Sequence, residues 1–247
     1  MATARFSHNP RRLAAEAIGT FFLVLIGPGA VMVNAVSHGA ISHAGISLAF
    51  AFVVTAMIFA VGHISGAHIN PAVTVGFWSV RRFPARDVVP YVVAQCLGAI
   101  AASAISREVL GAVGQMGATL PASALGLSAG GAFVIEWLLS FALMFVIMAV
   151  ATDERVANGF AAIAVGLTVG FCAMMGGPLT GASMNPARSL GPAVIGGFWD
   201  AHWLYWLAPI TGMIAAAHCY EYLRGMSVHS RTSATTTRAL GLEGPIG

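Results

Sequence analysis

The chain has 247 residues, of which 57% are hydrophobic and only 9% are charged, and its formal net charge is +3. A soluble globular domain carries about 25% charged residues, whereas the mean hydropathy of this chain is +0.81. This composition excludes an ordinary soluble enzyme, a disordered chain and a nucleic-acid-binding protein, and it indicates a protein surrounded by a lipid bilayer. The three cysteines, Cys96, Cys172 and Cys219, are too widely spaced to indicate a disulfide or a metal site.

Six apolar segments are long enough to form membrane-spanning helices, because crossing a hydrocarbon core of about 30 Å takes about 20 helical residues. In chain order they are Leu13–Val36, Ile46–Ile64, Val88–Ser106, Ala129–Thr152, Val156–Met175 and Ala201–Leu223. Two further apolar stretches, 65–80 and 180–199, are too short to cross. We therefore predict an all-α membrane protein with six transmembrane helices and two re-entrant half-helices.

The arginines predict the orientation of these spans. If the six spans are threaded alternately, ten of the twelve arginines fall on one side of the membrane. Because positively charged loops stay in the cytoplasm, both termini of this multi-pass protein of the cell membrane are predicted to be cytoplasmic. The ten residues are Arg5, Arg11, Arg12, Arg81, Arg82, Arg86, Arg155, Arg224, Arg231 and Arg238. An aromatic belt is expected at the outer end of the sixth span, formed by Trp199, Trp203, Tyr205 and Trp206.

The two short apolar stretches contain an internal repeat. Ser65–Gly76 (SGAHINPAVTVG) and Thr180–Gly191 (TGASMNPARSLG) share Gly-Ala, Asn-Pro-Ala and the final Gly. Each half contributes three spans, so the second half enters the membrane from the opposite face, as in inverted-topology repeats. The predicted units are a first repeat at 1–115, a linker loop at 116–128, a second repeat at 129–224 and a polar cytoplasmic tail at 225–247.

Each Asn-Pro-Ala motif predicts the start of a half-helix, because Asn is a strong N-cap and Pro is favoured at the first helical position. Half-helices at 70–80 and 185–195 would each be about 15 Å long, so that two entering from opposite faces would meet near the midplane. Their positive N-termini would repel cations, and the Asn amides would offer N–H donors to a neutral solute. The motif residues are Asn70, Pro71, Ala72, Asn185, Pro186 and Ala187.

The short, non-helical segments before the two motifs are predicted to line a pore with backbone carbonyl groups, as irregular backbone does in other channels. The residues assigned to this lining are Gly66, Ala67, His68, Gly181 and Ser183.

Three ionisable residues lie in apolar surroundings, where a charge is costly and indicates a function. Glu16 and Glu136 are interpreted either as supports for the segment before each half-helix or as a proton relay, and their symmetric duplication favours the first interpretation. Arg188 follows the second motif at the place where the first has Val73. It is interpreted as a charged constriction, with an arginine that reaches lipid headgroups as the alternative.

The chain is similar to the aquaporin, or major intrinsic protein, family in its prokaryotic type, over Arg12–Leu223. The similar motifs are SGAHINPAVT (65–74), TGASMNPARS (180–189), AQCLGA (94–99) and HWLYWLAP (202–209), together with the two glutamates inside spans. The resemblance implies a homotetramer with one pore per subunit. It also implies a passive channel for water and small neutral solutes. The sequence has no Ser/His, paired-Asp or His-Glu metal arrangement at helical spacing, so neither enzymatic activity nor a metal or cofactor is expected.

The resemblance further implies a selectivity filter, which counting from the motifs places at Phe50, Ala173, Ala182 and Arg188. The count to Ala173 could slip by one residue, to Cys172 or Met174. The mercury-sensitive cysteine that is usual in the family is replaced by Ala182, so mercury inhibition is expected to be weak unless Cys172 faces the pore.

The preferred solute depends on two conflicting signals. Water-selective relatives usually carry His at the position of Ala173, so the small residue predicts a wider constriction that also admits glycerol-like solutes. Against this, a group of residues resembles the water-channel subgroup, which makes a strictly water-selective channel the alternative: Ser189, Ala193, Tyr205 and Trp206. An inverted-repeat secondary transporter is a third interpretation, disfavoured because no coordinating Asp or Glu is predicted at the midplane.

Overall fold

The computed structural model describes residues 9–152 and 160–239, with side chains as far as residue 225. Within these ranges the chain is helical and contains no β-strand. The helices are α1 (Pro10–Val36), α2 (Ser42–Ser65), α3 (Pro71–Ser79), α4 (Ala85–Leu110), α5 (Ala129–Thr152), α6 (Ala161–Thr180), α7 (Pro186–Gly196) and α8 (Leu204–Ala239). The predicted fold class, six long helices and two half-length ones, is confirmed.

Five of the long helices in the described part of the chain, α1, α2, α4, α5 and α6, are apolar enough over 18 residues to cross a membrane. The sixth predicted span lies in the first part of α8. This helix packs against α5 as α4 packs against α1, and thus occupies the same place in its repeat.

Each half-helix packs against a helix of the other repeat: α3 packs against α8 of the second repeat, and α7 packs against α4 of the first.

Glycines permit the close crossings of α1 with α4 and of α5 with α8. A Cβ atom at Gly98 would collide with the backbone of Ala17, and one at Gly212 would lie 2.5 Å from the carbonyl oxygen of Trp137. Both repeats therefore pack their first and third spanning helices through the same small-residue contact.

Several boundaries differ from the prediction. The half-helix α3 ends one residue before the predicted 80, and α7 continues one residue past 195. Helix α4 extends beyond Val88–Ser106 at both ends, because hydropathy marks only the lipid-facing part of a helix that continues into the polar interface. The predicted start of the linker at 116 falls inside a short left-handed turn, Val113–Gly117.

Parts of three predictions lie outside the described residues. Helix α6 begins at Ala161 rather than at Val156, and 153–159, which include Arg155, are not described. Helix α8 continues past the predicted end of the second repeat at 224 to Ala239, whereas 240–247 of the tail are not described. Arg5 also falls outside the described residues.

One end of the bundle gathers charged side chains from distant parts of the sequence. Arg12 at the start of α1 lies 3.8 Å from the Asp87 carboxylate at the start of α4, and Arg82 Nε donates to Glu221 of α8 at 2.6 Å. Three of the arginines that were assigned to one side of the membrane, Arg12, Arg82 and Arg224, are thus at or beside the same end of the bundle. At the opposite end, Arg107 donates to the carbonyl oxygen of Ile195 in α7.

Candidate functional site

The two half-helices start from capped asparagines. Asn70 and Asn185 have extended backbones, and each is followed by Pro at the first helical position. The Oδ1 atom of Asn70 accepts from the backbone N–H of Ala72 at 2.8 Å, and that of Asn185 accepts from the N–H groups of Ala187 and Arg188 at 3.1 and 3.3 Å. Both asparagine oxygens are therefore used as N-caps.

The amide nitrogens of the same asparagines join the two repeats. Asn70 Nδ2 donates to the carbonyl oxygen of Met184 at 2.7 Å, and Asn185 Nδ2 donates to that of Ile69 at 2.9 Å. Each bond reaches the residue just before the other asparagine. Since a side-chain amide carries two protons, one N–H of each Asn remains for a molecule between them.

The segments before the half-helices share an unusual backbone. Positive φ angles occur at equivalent places in both, namely at Gly66 (92°), Ala67 (46°) and Ile69 (42°) and at Gly181 (84°), Ala182 (43°) and Met184 (51°). Residues other than glycine adopt this conformation at a cost in free energy, and a β-branched residue such as Ile69 does so rarely. The surrounding structure must therefore hold both segments in place.

Glu16 of α1 holds the first segment. Its carboxylate accepts from Ser65 Oγ at 2.6 Å and from the backbone N–H groups of His68 and Ile69 at 2.9 and 2.6 Å. Gln95 of α4 donates to the same carboxylate at 2.8 Å. Because a trans peptide directs its C=O opposite to its N–H, the carbonyl groups that precede these two amides point away from Glu16.

Glu136 of α5 holds the second segment in the same way. It accepts from Thr180 Oγ1 at 2.6 Å and from the N–H groups of Ser183 and Met184 at 2.8 and 2.9 Å. Both glutamates are fully buried. Each carboxylate thus accepts hydrogen bonds from the segment that precedes one half-helix.

Tyr205 does not belong to the expected aromatic belt. It is fully buried, and its hydroxyl donates to the carbonyl oxygen of Thr180 at 2.9 Å, as Tyr91 donates to that of Ser65. Trp199 and Trp203, in contrast, are exposed on the outside of the bundle. The two tyrosines are equivalent in the two repeats, so Tyr205 closes the end of α6 and packs inside the protein.

A cavity with an empty volume of about 820 Å³, counting its open mouth, runs between the repeats. Aliphatic and aromatic side chains form most of its wall, and the polar part comes from the two irregular segments and Arg188. The predicted residues that line it are Phe50, Gly66, Ala67, His68, Asn70, Ala173, Ala182, Ser183, Asn185 and Arg188. Gly181 is not among the lining residues, because its Cα faces the linker, where a Cβ would lie 2.9 Å from Thr119 Cα.

The four predicted filter residues lie on this one cavity. Arg188 is 2% exposed, and its guanidinium carbon lies 5.2 Å from the centre of the Phe50 ring, within the range of a cation–π contact. Ala173 lines the cavity, whereas Cys172 is buried beside Leu139 and Met174 is 48% exposed on the outside. Of the three positions that counting left open, Ala173 is the one that lies on the cavity.

The linker contributes contacts that no sequence pattern predicts. The carbonyl oxygen of Gly117 accepts from Arg188 Nη1 at 2.6 Å. Thr119 Oγ1 donates to Ser189 Oγ at 2.7 Å, and Ser189 Oγ lies 2.5 Å from Ser183 Oγ. Neither a backbone carbonyl nor a lone Thr in a Gly- and Ala-rich loop carries a recognisable signal.

His68 lines the cavity and is enclosed by other side chains. Its Nδ1 lies 3.0 Å from Thr74 Oγ1, and its ring packs against the rings of Phe77, Phe83 and Tyr91. No group of three or more His, Cys, Asp or Glu side chains that could hold a metal occurs among the residues the structure describes. His68 is therefore a packed part of the lining.

Comparisons with known proteins match this architecture. The profile of the family described as Major intrinsic protein matches residues 3–220. Nodulin-26 from Glycine max is 46% identical over 235 residues, covering 95% of this chain and 84% of that protein. The probable aquaporin AqpM from Archaeoglobus fulgidus is 42% identical over 239 residues, covering 86% of this chain and 96% of that protein.

A solved structure agrees with these relatives. The aquaglyceroporin from Plasmodium falciparum matches with a TM-score of 0.75 at 26% identity, over 85% of this chain and 95% of that chain. The resemblance that was inferred from the duplicated motifs is confirmed over nearly the whole length, and the chain belongs to the major intrinsic protein family.

Proposed function

We propose that this protein is a passive channel that conducts water and small neutral solutes of about the size of glycerol, and that it excludes protons and ions. The observation that carries the proposal is the meeting of two half-helix N-termini, capped by Asn70 and Asn185, on one cavity with Arg188.

The exclusion of ions follows from electrostatics. Each half-helix N-terminus carries about half a positive charge, and Arg188 adds a full charge in surroundings of low dielectric constant. A cation or a hydronium ion is therefore repelled at two places along one path. A neutral molecule with an oxygen acceptor is instead oriented by the remaining N–H groups of Asn70 and Asn185, and its hydroxyl groups meet backbone carbonyls.

The small side chains on the path support a mixed selectivity. Ala173 and Ala182 contribute only methyl groups to the cavity that Phe50 and Arg188 also line, and the wall is largely apolar, which suits the carbon backbone of a polyol. Strict water selectivity is the second candidate, and the close approach of Arg188 to Phe50 favours it. Of the residues that resemble the water-channel subgroup, Tyr205 is buried away from the cavity, so it does not act directly on passage.

We infer that the protein is a homotetramer in the cell membrane with both termini in the cytoplasm and no catalytic activity. Support comes from exposed apolar side chains around the bundle, such as Phe52, Leu97 and Leu167, and from the arginines at one end. Chemical cross-linking in membranes would test the tetramer. Protease digestion of a tag at each terminus, in sealed right-side-out and inverted vesicles, would test the orientation.

Stopped-flow light scattering on proteoliposomes tests the proposed transport. Vesicles that contain the protein should shrink faster than empty vesicles in an impermeant osmolyte, and should re-swell faster in a glycerol gradient. Fast shrinkage without glycerol entry would favour strict water selectivity. If neither flux exceeds that of empty vesicles, the channel proposal is wrong.

Mercury is expected to inhibit water flux weakly. Ala182 lines the cavity without a thiol, and Cys172 is buried behind the wall, where its Sγ lies 3.8 Å from the carbonyl oxygen of Leu139. Water flux should therefore be nearly unchanged after treatment with mercuric chloride, and Cys172→Ser should behave as the unmodified protein does. Strong inhibition that persists in Cys172→Ser would contradict this expectation.

A further inference from the structure

A short left-handed turn, 113–117, leads from α4 into the linker between the repeats. Gly114, Gln115 and Met116 have φ angles of 55°, 49° and 54°, and Gly117 follows with 62°. Four consecutive residues in this region are rare, because a side chain disfavours it at each step, and two of these four are not glycine. Such a turn persists only if contacts around it hold it.

The turn is held between helices α1 and α7. Met116 is 1% exposed, and its Sδ lies near Gly196 at the end of α7. Gly117 sits against Pro28 of α1 so closely that a Cβ atom would lie 2.7 Å from Pro28 Cα and 2.9 Å from its carbonyl oxygen. The position of the Gly117 carbonyl group is therefore fixed by packing on both sides.

This fixed carbonyl is the partner of Arg188. Among the described residues, Nη1 of Arg188 donates to Gly117 O at 2.6 Å, while Nε, although buried, has no hydrogen-bond partner. Arginine is long and flexible, so one charge-assisted bond at its tip, together with the Phe50 ring, determines where the guanidinium lies. The first repeat has Val73 at the equivalent place and needs no such anchor.

We propose that the left-handed turn 113–117 sets the solute selectivity of the channel by holding the Arg188 guanidinium through the carbonyl group of Gly117. Gly117 is thus a positioning residue, and the linker is part of the outer constriction. When the turn shifts, the guanidinium loses its anchor and the constriction widens. The permeability to larger solutes then rises relative to the permeability to water. This inference rests on the proposed function, and it identifies the turn as the element that determines the width of the same constriction.

The test measures glycerol and water permeability of the full chain in proteoliposomes, and uses their ratio. Gly117→Ala forces a Cβ atom into Pro28. The ratio of glycerol permeability to water permeability should therefore rise several-fold, while the protein stays monodisperse in detergent. Gly126→Ala is the matched control, because Gly126 lies in the same linker with φ 76° and a Cβ atom added there would meet no other atom within 4 Å. It carries the same backbone penalty without moving Gly117, so its ratio should equal that of the unmodified chain.

The double variant separates positioning from general damage. In an Arg188→Val background, Gly117→Ala should change the ratio no further, because the group that it acts through is absent. An equal change in both backgrounds, or an unchanged ratio in folded Gly117→Ala, overturns the inference. If Gly117→Ala does not accumulate, Met116→Ala loosens the same turn and has the same expected outcomes.

A different result would contradict the proposed function itself. If Arg188→Val by itself leaves the glycerol-to-water ratio unchanged, the role of Arg188 as a constriction is wrong and the inference about Gly117 fails with it. If Arg188→Val changes the ratio and Gly117→Ala does not, the constriction stands and the inference about the turn is wrong.

Discussion

Glu136→Ala is expected to prevent stable folding. The substitution removes the acceptor for three buried donors, the hydroxyl of Thr180 and the backbone N–H groups of Ser183 and Met184. A buried donor that is left without a partner costs about 1–3 kcal/mol, so three of them cost several kcal/mol, a large part of the roughly 5–15 kcal/mol that stabilises a typical protein. Thermal unfolding in detergent and the yield of monodisperse protein measure the effect.

Two controls interpret that result. Glu221→Ala removes an exposed carboxylate that pairs with Arg82, and should cost less than about 1 kcal/mol. Glu136→Gln keeps one acceptor oxygen and should fall between the two. A Glu136→Ala variant that melts like the unmodified protein would refute the supporting role. If Glu136→Gln also kept full stability while proton flux changed, the relay interpretation would be favoured.

Ala173→His is expected to abolish glycerol entry while water flux is largely kept. The added imidazole would occupy part of the cavity that Ala182, Phe50 and Arg188 also line, where the unmodified chain has only a methyl group at this position. An added barrier of about 1.4 kcal/mol already lowers a rate tenfold, and steric exclusion of a polyol exceeds this, so glycerol permeability should fall by more than about tenfold. Stopped-flow re-swelling in a glycerol gradient measures the loss.

The control for this variant is one position away. Met174→His introduces the same imidazole on a residue that is 48% exposed and does not line the cavity, so both fluxes should stay as in the unmodified protein. Glycerol entry that survives Ala173→His would mean that the narrowest part of the path lies elsewhere, and that Ala173 does not control solute size.

The half-helices and their supports were predictable because local chemistry determines them. Asn-Pro favours a helix start wherever it occurs, and its duplication in an inverted context is enough to bring Asn70 and Asn185 together. A buried glutamate needs hydrogen-bond donors, and irregular backbone offers unpaired N–H groups. The two requirements are met together when Glu16 and Glu136 bind these segments.

The linker was not predictable for the opposite reason. The turn at 113–117 owes its left-handed backbone to packing against Pro28 and Gly196, which lie far away in the sequence. The role of Thr119 depends on Ser189 being within reach of its hydroxyl, which only the folded chain reveals. The extent of α8 was also missed, since a polar helix beyond the bilayer has no hydropathy signal.

The bonds that Asn70 and Asn185 exchange with the carbonyl groups of Met184 and Ile69 have a thermodynamic consequence. A carrier works by swinging its halves about a central site, so that the site faces one compartment at a time. Here such swinging would first break both crossed amide bonds in the centre of the bundle. The crossed bonds therefore favour one fixed arrangement of the two repeats, which suits a path along which each solute moves toward its own equilibrium.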